Sequence, residues 1–122
     1  MAIVIKAEKD RYFKSHDSAL EFGIFKEYQE GSTKPLVLIH HVDADGIFSA
    51  QIVIKAIKEF IGNTKISITC VPYNYERQFD FSSYIKKGSN VIVVDLSLKM
   101  NDIKTILKNA NSAFIIDHHL TT

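Results

Sequence analysis

Four short and mostly apolar segments, separated by helical patterns, constrain the fold more than any other feature of the sequence. They read LVLIHHV (36–42), KISITCVPY (65–73), NVIVVDLS (90–97) and SAFIIDHH (112–119). Strands without polar alternation are typical of parallel sheets that are buried on both faces, and intervening helices supply the crossovers. The sequence therefore predicts an α/β fold: a doubly wound, Rossmann-like parallel sheet with helices on both faces.

The helical patterns set the internal boundaries. Residues 46–63 and 100–111 have helical spacing, and residues 81–88 fit a short helix or a turn. The segment EGSTKP separates an N-terminal piece, 1–34, from an α/β core, 35–122, within one domain spanning 1–122. A helix is predicted near the end of the first piece. We take 1–34 as an N-terminal helical segment, although its first dozen residues fit a strand equally well.

Composition limits the possible ligands of the protein and the cellular compartment in which it is expected. A net charge of +1 over 122 residues gives no long basic track for nucleic acid, but it leaves short or mononucleotide anions open as ligands. The single cysteine, Cys70, rules out an internal disulfide and favours a reducing compartment; we expect it to be buried on a strand. No secretory signal and no apolar run of membrane-spanning length is evident, so we expect a cytoplasmic protein without membrane contact.

Acidic and histidine side chains follow three of the four predicted strands. Because parallel strands end at the same edge of a sheet, and ligands bind outside those ends, we expect these side chains to converge. The set consists of Asp43 and Asp45 after the first strand, Asp95 at the end of the third, and Asp117, His118 and His119 at the end of the fourth.

The first of these groups has its own internal pattern. Alternate side chains of an extended chain share a face, so His41, Asp43 and Asp45 point one way, while His40 points away and is expected to be packed or half exposed. One imidazole and two carboxylates suit Mn²⁺ or Mg²⁺ better than structural zinc. Gly46 permits a tight turn into the next helix, whose N-terminus favours an anion. This combination predicts a metal-assisted phosphate site.

The motifs HVDADG (41–46), VIVVDLS (91–97) and DHH (117–119) resemble the first three signature motifs of the DHH phosphoesterase superfamily. The resemblance covers residues 36–119, in the right order and strand context. That superfamily includes single-strand exonucleases, oligoribonucleases, cyclic-dinucleotide phosphodiesterases and manganese pyrophosphatases. The phrases VVDLS and IIDHHLTT resemble the oligoribonuclease-like branch most.

The resemblance implies a site with two divalent ions, Mn²⁺ or Mg²⁺. His41 and Asp43 match the positions that hold one ion, Asp95 matches the carboxylate that bridges both, and Asp45 and His118 match ligands of the second. Two ions roughly 3.5–4 Å apart can stabilise both the attacking and the leaving oxygen of an in-line displacement.

The resemblance also implies catalytic and substrate-binding roles. His119 matches the histidine that contacts the substrate phosphate, and Asp117 matches a partner that orients its neighbours. Gly46 is expected beside the substrate. Apart from the resemblance, the stretch YNYERQF follows the second predicted strand and so lies near the same end of the sheet; Tyr73, Tyr75 and Arg77 could stack on a base or hold a phosphate, or the loop could simply pack its aromatic rings.

Taken together, these features predict a divalent-metal-dependent phosphoesterase that hydrolyses phosphodiester bonds in short single-stranded RNA or DNA. Two alternatives stay open: a cyclic-dinucleotide phosphodiesterase, and a non-catalytic module that binds metal or nucleotides. A pyrophosphatase ranks last, because that branch favours a proline in the first motif. The resembled family has a further aspartate ligand and a second domain downstream, so we expect an N-terminal fragment of a longer protein or a truncated relative, with weak or absent activity on its own. A homodimer is an open alternative.

Overall fold

The computed structural model describes residues 3–8, 11–15, 24–74, 80–96 and 98–117. A π-helical turn, Ala56–Phe60, extends the second helix, and a 3-10 turn, Phe81–Ser83, precedes the fifth strand. Within the described ranges, no helix is long and apolar enough to cross a membrane. In chain order the elements are β1 (Ile3–Glu8), β2 (Arg11–Ser15), α1 (Ile24–Gln29), β3 (Leu36–His41), α2 (Ala44–Lys55), β4 (Ile68–Tyr73), β5 (Asn90–Val94), α3 (Met100–Asn109) and β6 (Ser112–Asp117).

The strands form one sheet in the order β2-β1-β6-β5-β3-β4. The last four strands of the chain are parallel: β3 pairs with both β4 and β5, and β5 pairs with β6. The chain leaves β3 through α2 toward β4 on one side, and it later leaves β5 through α3 toward β6 on the other. The strand order therefore reverses between β3 and β5, and such a switch point is where ligands bind in doubly wound sheets.

Helices cover both faces of this sheet, as the apolar segments predict. Alternate residues of a strand enter opposite cores: in β3, Val37 and Ile39 pack toward α3, whereas Leu36 and Leu38 pack toward α1 and α2. Every residue of β5 is buried, which explains why its sequence has no polar alternation. The predicted α/β, doubly wound Rossmann-like architecture is confirmed.

The N-terminal region differs from the expected helical segment over 1–34. Residues 3–8 and 11–15 are strands that form an antiparallel hairpin, and β1 also pairs antiparallel with β6. Of the predicted helix, the described part is α1. The sequence IVIKA is rich in β-branched residues, which favour strands, and the free edge of β6 offers it backbone partners. A pairing partner that is distant along the chain decided between strand and helix.

Cys70 is a second departure, because it is exposed rather than buried. It lies in β4, which is the outermost strand on one side of the sheet among the described residues, and three of the six residues of β4 are exposed. Partial burial raises the pKa of the Cys70 thiol, and the nearby charge of Lys58 opposes this shift. A raised pKa keeps the thiol protonated near neutral pH and makes it a poor nucleophile.

Candidate metal centre

The switch point between β3 and β5 brings two of the predicted ligands to the same edge of the sheet. His40 of β3 pairs in register with Val94 of β5. The residues that follow this pair are His41, the last residue of β3, and Asp95, which comes directly after β5, so the two leave the sheet side by side. The convergence expected from parallel strands is therefore present at this edge.

Asp43 is fixed in position by the start of α2. It is the N-cap residue, in an extended conformation with φ −76° and ψ 176°. Its Oδ1 atom accepts a hydrogen bond from the Gly46 N–H at 2.8 Å, and its carbonyl accepts one from the Ile47 N–H at 3.0 Å. Aspartate is among the preferred N-cap residues because its side chain satisfies such an otherwise unpaired N–H. The cap holds one carboxylate oxygen and orients the other.

That second oxygen faces His41. The Nδ1 atom of His41 lies 2.9 Å from Oδ2 of Asp43. The side chain of His41 is 24% exposed and that of Asp43 is 52% exposed, so the pair is open to solvent and to a ligand. Adjacent ligand atoms on an octahedral ion with bonds of about 2.0–2.1 Å are about 3 Å apart. The spacing of this pair fits two neighbouring ligands of a small divalent cation.

Gly46 is required by the close approach of α2 to the end of β3. A Cβ atom at this position would overlap the carbonyl oxygen of His41 and lie only 2.7 Å from its carbonyl carbon. These are backbone atoms, which cannot move aside as a flexible side chain would. The predicted tight turn is therefore present, and its N–H points to Asp43.

Asp95 reaches the same place through an unusual backbone conformation. Its φ is +56°, and it is the one non-glycine residue with a positive φ among those that the structure describes. The left-handed region costs roughly 1–2 kcal/mol for an L-residue, although aspartate tolerates it better than most. Asp95 is buried, and its Oδ1 atom is shielded from solvent. Strained residues cluster at functional sites, where the surrounding structure holds them.

His41, Asp43 and Asp95 together form what we call the acidic centre. Each contributes one potential ligand atom, and these atoms all lie within 4.8 Å of one another. Two carboxylates at this distance repel each other, and a cation between them removes the repulsion. An imidazole nitrogen with carboxylate oxygens is a donor set that Mn²⁺ accepts readily. The acidic centre therefore fits a divalent metal ion.

Comparison with protein families agrees with this geometry. The model of the DHH family, N-terminal domain, matches residues 35–122, which is most of the chain and includes the whole acidic centre. The chain belongs to the DHH family. Comparisons with curated proteins and with solved structures gave no significant match. Membership of the DHH family supports a metal-dependent phosphoesterase, and the acidic centre supplies a group of residues suited to the metal.

The remaining predicted ligands of this DHH domain lie near the acidic centre or outside the described residues. Asp45 is exposed in the first turn of α2, and the acidic centre does not include it. Asp117 is the last residue of β6, so its backbone lies at the same edge of the sheet. His118 and His119 lie outside the described residues, and their predicted roles stay predictions.

Tyr73 begins the stretch YNYERQF, for which a substrate contact was considered, and it is the last residue of β4. Tyr73 is buried, and its ring stacks on Phe81 with a centroid distance of 5.8 Å and an interplanar angle of 11°. Of the two alternatives for this stretch, contact with a substrate or packing of its aromatic rings, packing describes Tyr73. Tyr75 and Arg77 lie outside the described residues.

Two features of the site were not predicted from the sequence: the helix cap made by Asp43 and a hydrogen bond made by His40. The helix was predicted to begin at Gly46, whereas α2 begins at Ala44, with the preceding aspartate as its cap. The preference of aspartate for N-caps could have revealed this. No sequence signal indicated that His40 would bond to the neighbouring carbonyl group.

A cleft of about 240 Å³ opens at the end of the sheet where the parallel strands begin, beside the end of α1. Its buried amide, Asn63, donates to the carbonyl groups of Tyr28 and Ser32 at 3.0 and 2.9 Å, and accepts from the Lys65 N–H at 3.1 Å. These bonds use the polar atoms of the amide within the protein. The cleft lies where the parallel strands begin, whereas the acidic centre lies where they end.

Proposed function

We propose that this DHH domain is a divalent-metal-dependent phosphoesterase that hydrolyses phosphodiester bonds in short single-stranded oligonucleotides, with Mn²⁺ as its preferred ion. The observation that carries the proposal is the acidic centre at the switch point of the sheet, within a chain of the DHH family. The match to the family supports hydrolase chemistry. The short anionic substrate is supported by the nearly neutral net charge of +1.

In this proposal the acidic centre holds the first ion. The cap at the start of α2 keeps one oxygen of Asp43 occupied, so that the other stays directed toward His41. Burial of Asp95 lowers the local dielectric and strengthens its attraction for a cation. A bound divalent ion supplies Lewis acidity toward a phosphoryl oxygen.

Other residues complete the proposed site on the strength of their motif positions. Asp45 and His118 would hold a second ion, with Asp95 between the two. Asp117 would orient its neighbours, and His119 would contact the substrate phosphate. Gly46 and Arg77 would border the substrate. Removing a single group that stabilises developing charge typically lowers the rate by on the order of 100- to 1000-fold.

The test is hydrolysis of a substrate panel by the full-length protein, with Mn²⁺ or with a chelator. The panel contains RNA and DNA of two to five nucleotides, a cyclic dinucleotide and pyrophosphate. We expect Mn²⁺-dependent release of mononucleotides from the short oligonucleotides. In Asp95→Asn the rate should fall by at least about 100-fold, since an acidic ligand is lost. Asp102→Asn, which changes an acid in the first turn of α3, should retain the activity.

Three results would count against the proposal. Turnover that is unaffected by the chelator would contradict the metal dependence. A preference for the cyclic dinucleotide or for pyrophosphate would replace the proposed substrate class. Mn²⁺ binding without turnover of any substrate would favour a binding module over an enzyme.

A further inference from the structure

We propose that His40 is a positioning residue, which fixes the carbonyl group of His41 and thereby sets the geometry of the acidic centre. The inference rests on the proposed metal site and adds a residue outside its ligand set. His40 and His41 are neighbours in the sequence, but they face opposite sides of β3. One histidine belongs to the acidic centre, and the other supports it from the buried side.

The contact that carries the inference joins the ring of His40 to the next peptide group. The Nδ1 atom of His40 lies 2.8 Å from the carbonyl oxygen of His41. A carbonyl oxygen can only accept, so the hydrogen resides on Nδ1. His40 is 7% exposed, so water competes little for this bond. The bond therefore fixes the orientation of the peptide that links β3 to the turn before α2.

Gly46 also confines the same carbonyl group. The Cα atom of Gly46 approaches it so closely that a Cβ atom would overlap the oxygen. Gly46 in turn donates to Asp43, whose second oxygen faces the ring of His41. These contacts connect the ring of His40, through the His41 carbonyl and Gly46, to the pair of ligands His41 and Asp43. A change in the His41 carbonyl is expected to alter the spacing of that pair.

Packing alone does not account for a histidine at this position. His40 lies on the same side of β3 as Leu36 and Leu38, and the residue paired with it on β5 is Val94. An apolar side chain would fill this place without the free-energy cost of burying a polar ring. The hydrogen bond to His41 offsets that cost and gives the ring a defined role.

The first experiment compares Mn²⁺ binding by the 122-residue wild-type protein, His40→Leu and His40→Asn in calorimetric titrations. The amide nitrogen of asparagine occupies nearly the place of Nδ1 and can donate the same bond. Loss of a partner that orients a ligand typically costs about 10- to 100-fold in metal affinity. We expect that loss in His40→Leu and recovery of most of the affinity in His40→Asn. A purely structural role would make both variants lose affinity in step with their thermal stability.

The second experiment requires no metal. Long-range ¹H–¹⁵N correlation spectra of the neutral ring report which nitrogen carries the hydrogen. The inference predicts the Nδ1–H form for His40, and an Nε2–H form would overturn it, even if His40→Leu fails to fold. Unchanged Mn²⁺ affinity in a folded His40→Leu, or an asparagine variant no better than leucine, would also overturn it. Failure of the wild-type protein to bind Mn²⁺, with the Nδ1–H form present, would instead refute the proposed metal site.

Discussion

Buried polar side chains lie at both ends of the parallel strands, but their hydrogen-bonding and charge requirements are met in different ways. At the edge where the strands begin, Asn90 is completely buried and donates to Glu27 and to the Tyr28 hydroxyl at 2.7 and 3.2 Å. Its oxygen accepts from Asn111 and Ser112 at 3.1 and 3.3 Å. We call these five residues the amide network. At the edge where the strands end lies the acidic centre.

The chemistry of the groups explains the difference. An amide has both donors and an acceptor, so the amide network can be completed within the protein. An ionised carboxylate only accepts hydrogen bonds, and two of them close together repel. The acidic centre is therefore a place where an external cation improves the energy of the fold. This comparison separates polar residues that serve stability from polar residues that serve a ligand.

The largest expected effect is the loss of stability in Asn90→Ala. The variant removes the amide donors to Glu27 and to the buried Tyr28 hydroxyl. It also removes the oxygen that accepts from Asn111 and from the buried Ser112 hydroxyl. Each buried group left unsatisfied costs about 1–3 kcal/mol, so we expect a loss of about 3–5 kcal/mol in the free energy of unfolding. Urea denaturation measures it. Asn101→Ala, at an exposed site of α3, should change the free energy by less than about 0.5 kcal/mol. A loss below about 1 kcal/mol in Asn90→Ala would break the comparison.

Tyr28 adds a pH dependence to the amide network. Burial raises the pKa of its hydroxyl from 10.0 to about 12; the hydrogen bond from Asn90 opposes the shift, and the charge of Glu27 adds to it. Between these two values the unfolded chain releases the proton first, so the free energy of unfolding falls as the pH rises. One pKa unit corresponds to about 1.4 kcal/mol, so we expect a loss of about 2–3 kcal/mol from this residue between pH 9 and 12.

Denaturation of Tyr28→Phe across the same pH range measures this contribution. The variant should lack that part of the decrease, because it has no phenol to ionise. Tyr84→Phe, which changes a 48% exposed ring, should follow the wild-type profile. Identical profiles for Tyr28→Phe and wild type would show that the network does not shield the hydroxyl.

Gly46→Ala tests the close approach that builds the acidic centre. The added methyl group would meet backbone atoms of His41 at 2.7 and 2.8 Å, so the turn before α2 must shift. Such overpacking typically costs about 1–3 kcal/mol, and we expect about 2 kcal/mol with weaker Mn²⁺ binding. Thermal denaturation and metal titration check both. Gln51→Ala, at an exposed site of the same helix, is the control, and equal behaviour of the two variants would contradict the account.

The smallest expected effect has the opposite sign. Asp95→Asn removes one of two neighbouring carboxylates, and asparagine also tolerates a positive φ. Although Asp95 is buried, the side chain of Asp43 is 52% exposed, so solvent screens the repulsion; a pair of charges about 4 Å apart interacts by about 1 kcal/mol in water. Without metal, we therefore expect the variant to be as stable as the wild type or about 1 kcal/mol more stable. A clear loss of stability in unfolding experiments with a chelator would place Asp95 among the structural residues.

Local pattern was sufficient to predict much of the fold and part of the site. The apolar runs of β3 and β5 predicted a sheet covered on both faces, because both faces are in fact buried. Alternation predicted that His41 and Asp43 would share a face, and their side chains do meet, with Nδ1 of His41 2.9 Å from Oδ2 of Asp43. The backbone of Asp43 itself is extended. Strand alternation does not apply beyond Asp43, because α2 begins at the next residue, Ala44. Asp45 therefore lies on a helix, outside the acidic centre.

The other features depend on contacts that sequence spacing does not encode. The hairpin of β1 and β2 forms on the free edge of β6, more than one hundred positions along the chain from β1. Cys70 is exposed because β4 happens to be an edge strand, which follows from the strand order. The positive φ of Asp95 and the bond from His40 arise from the surrounding structure. Such details require the assembled fold.

Calorimetric titration of the chain with Mn²⁺ tests the central claim most directly. The account predicts measurable binding by the wild-type protein and a large loss of affinity in Asp95→Asn. This should exceed the loss of about 10- to 100-fold that is typical of removing an outer-shell partner, since the variant removes a charged ligand from the acidic centre. Asp102→Asn should bind as the wild type does. Absence of binding in the wild type, or unchanged affinity in Asp95→Asn, would contradict the account.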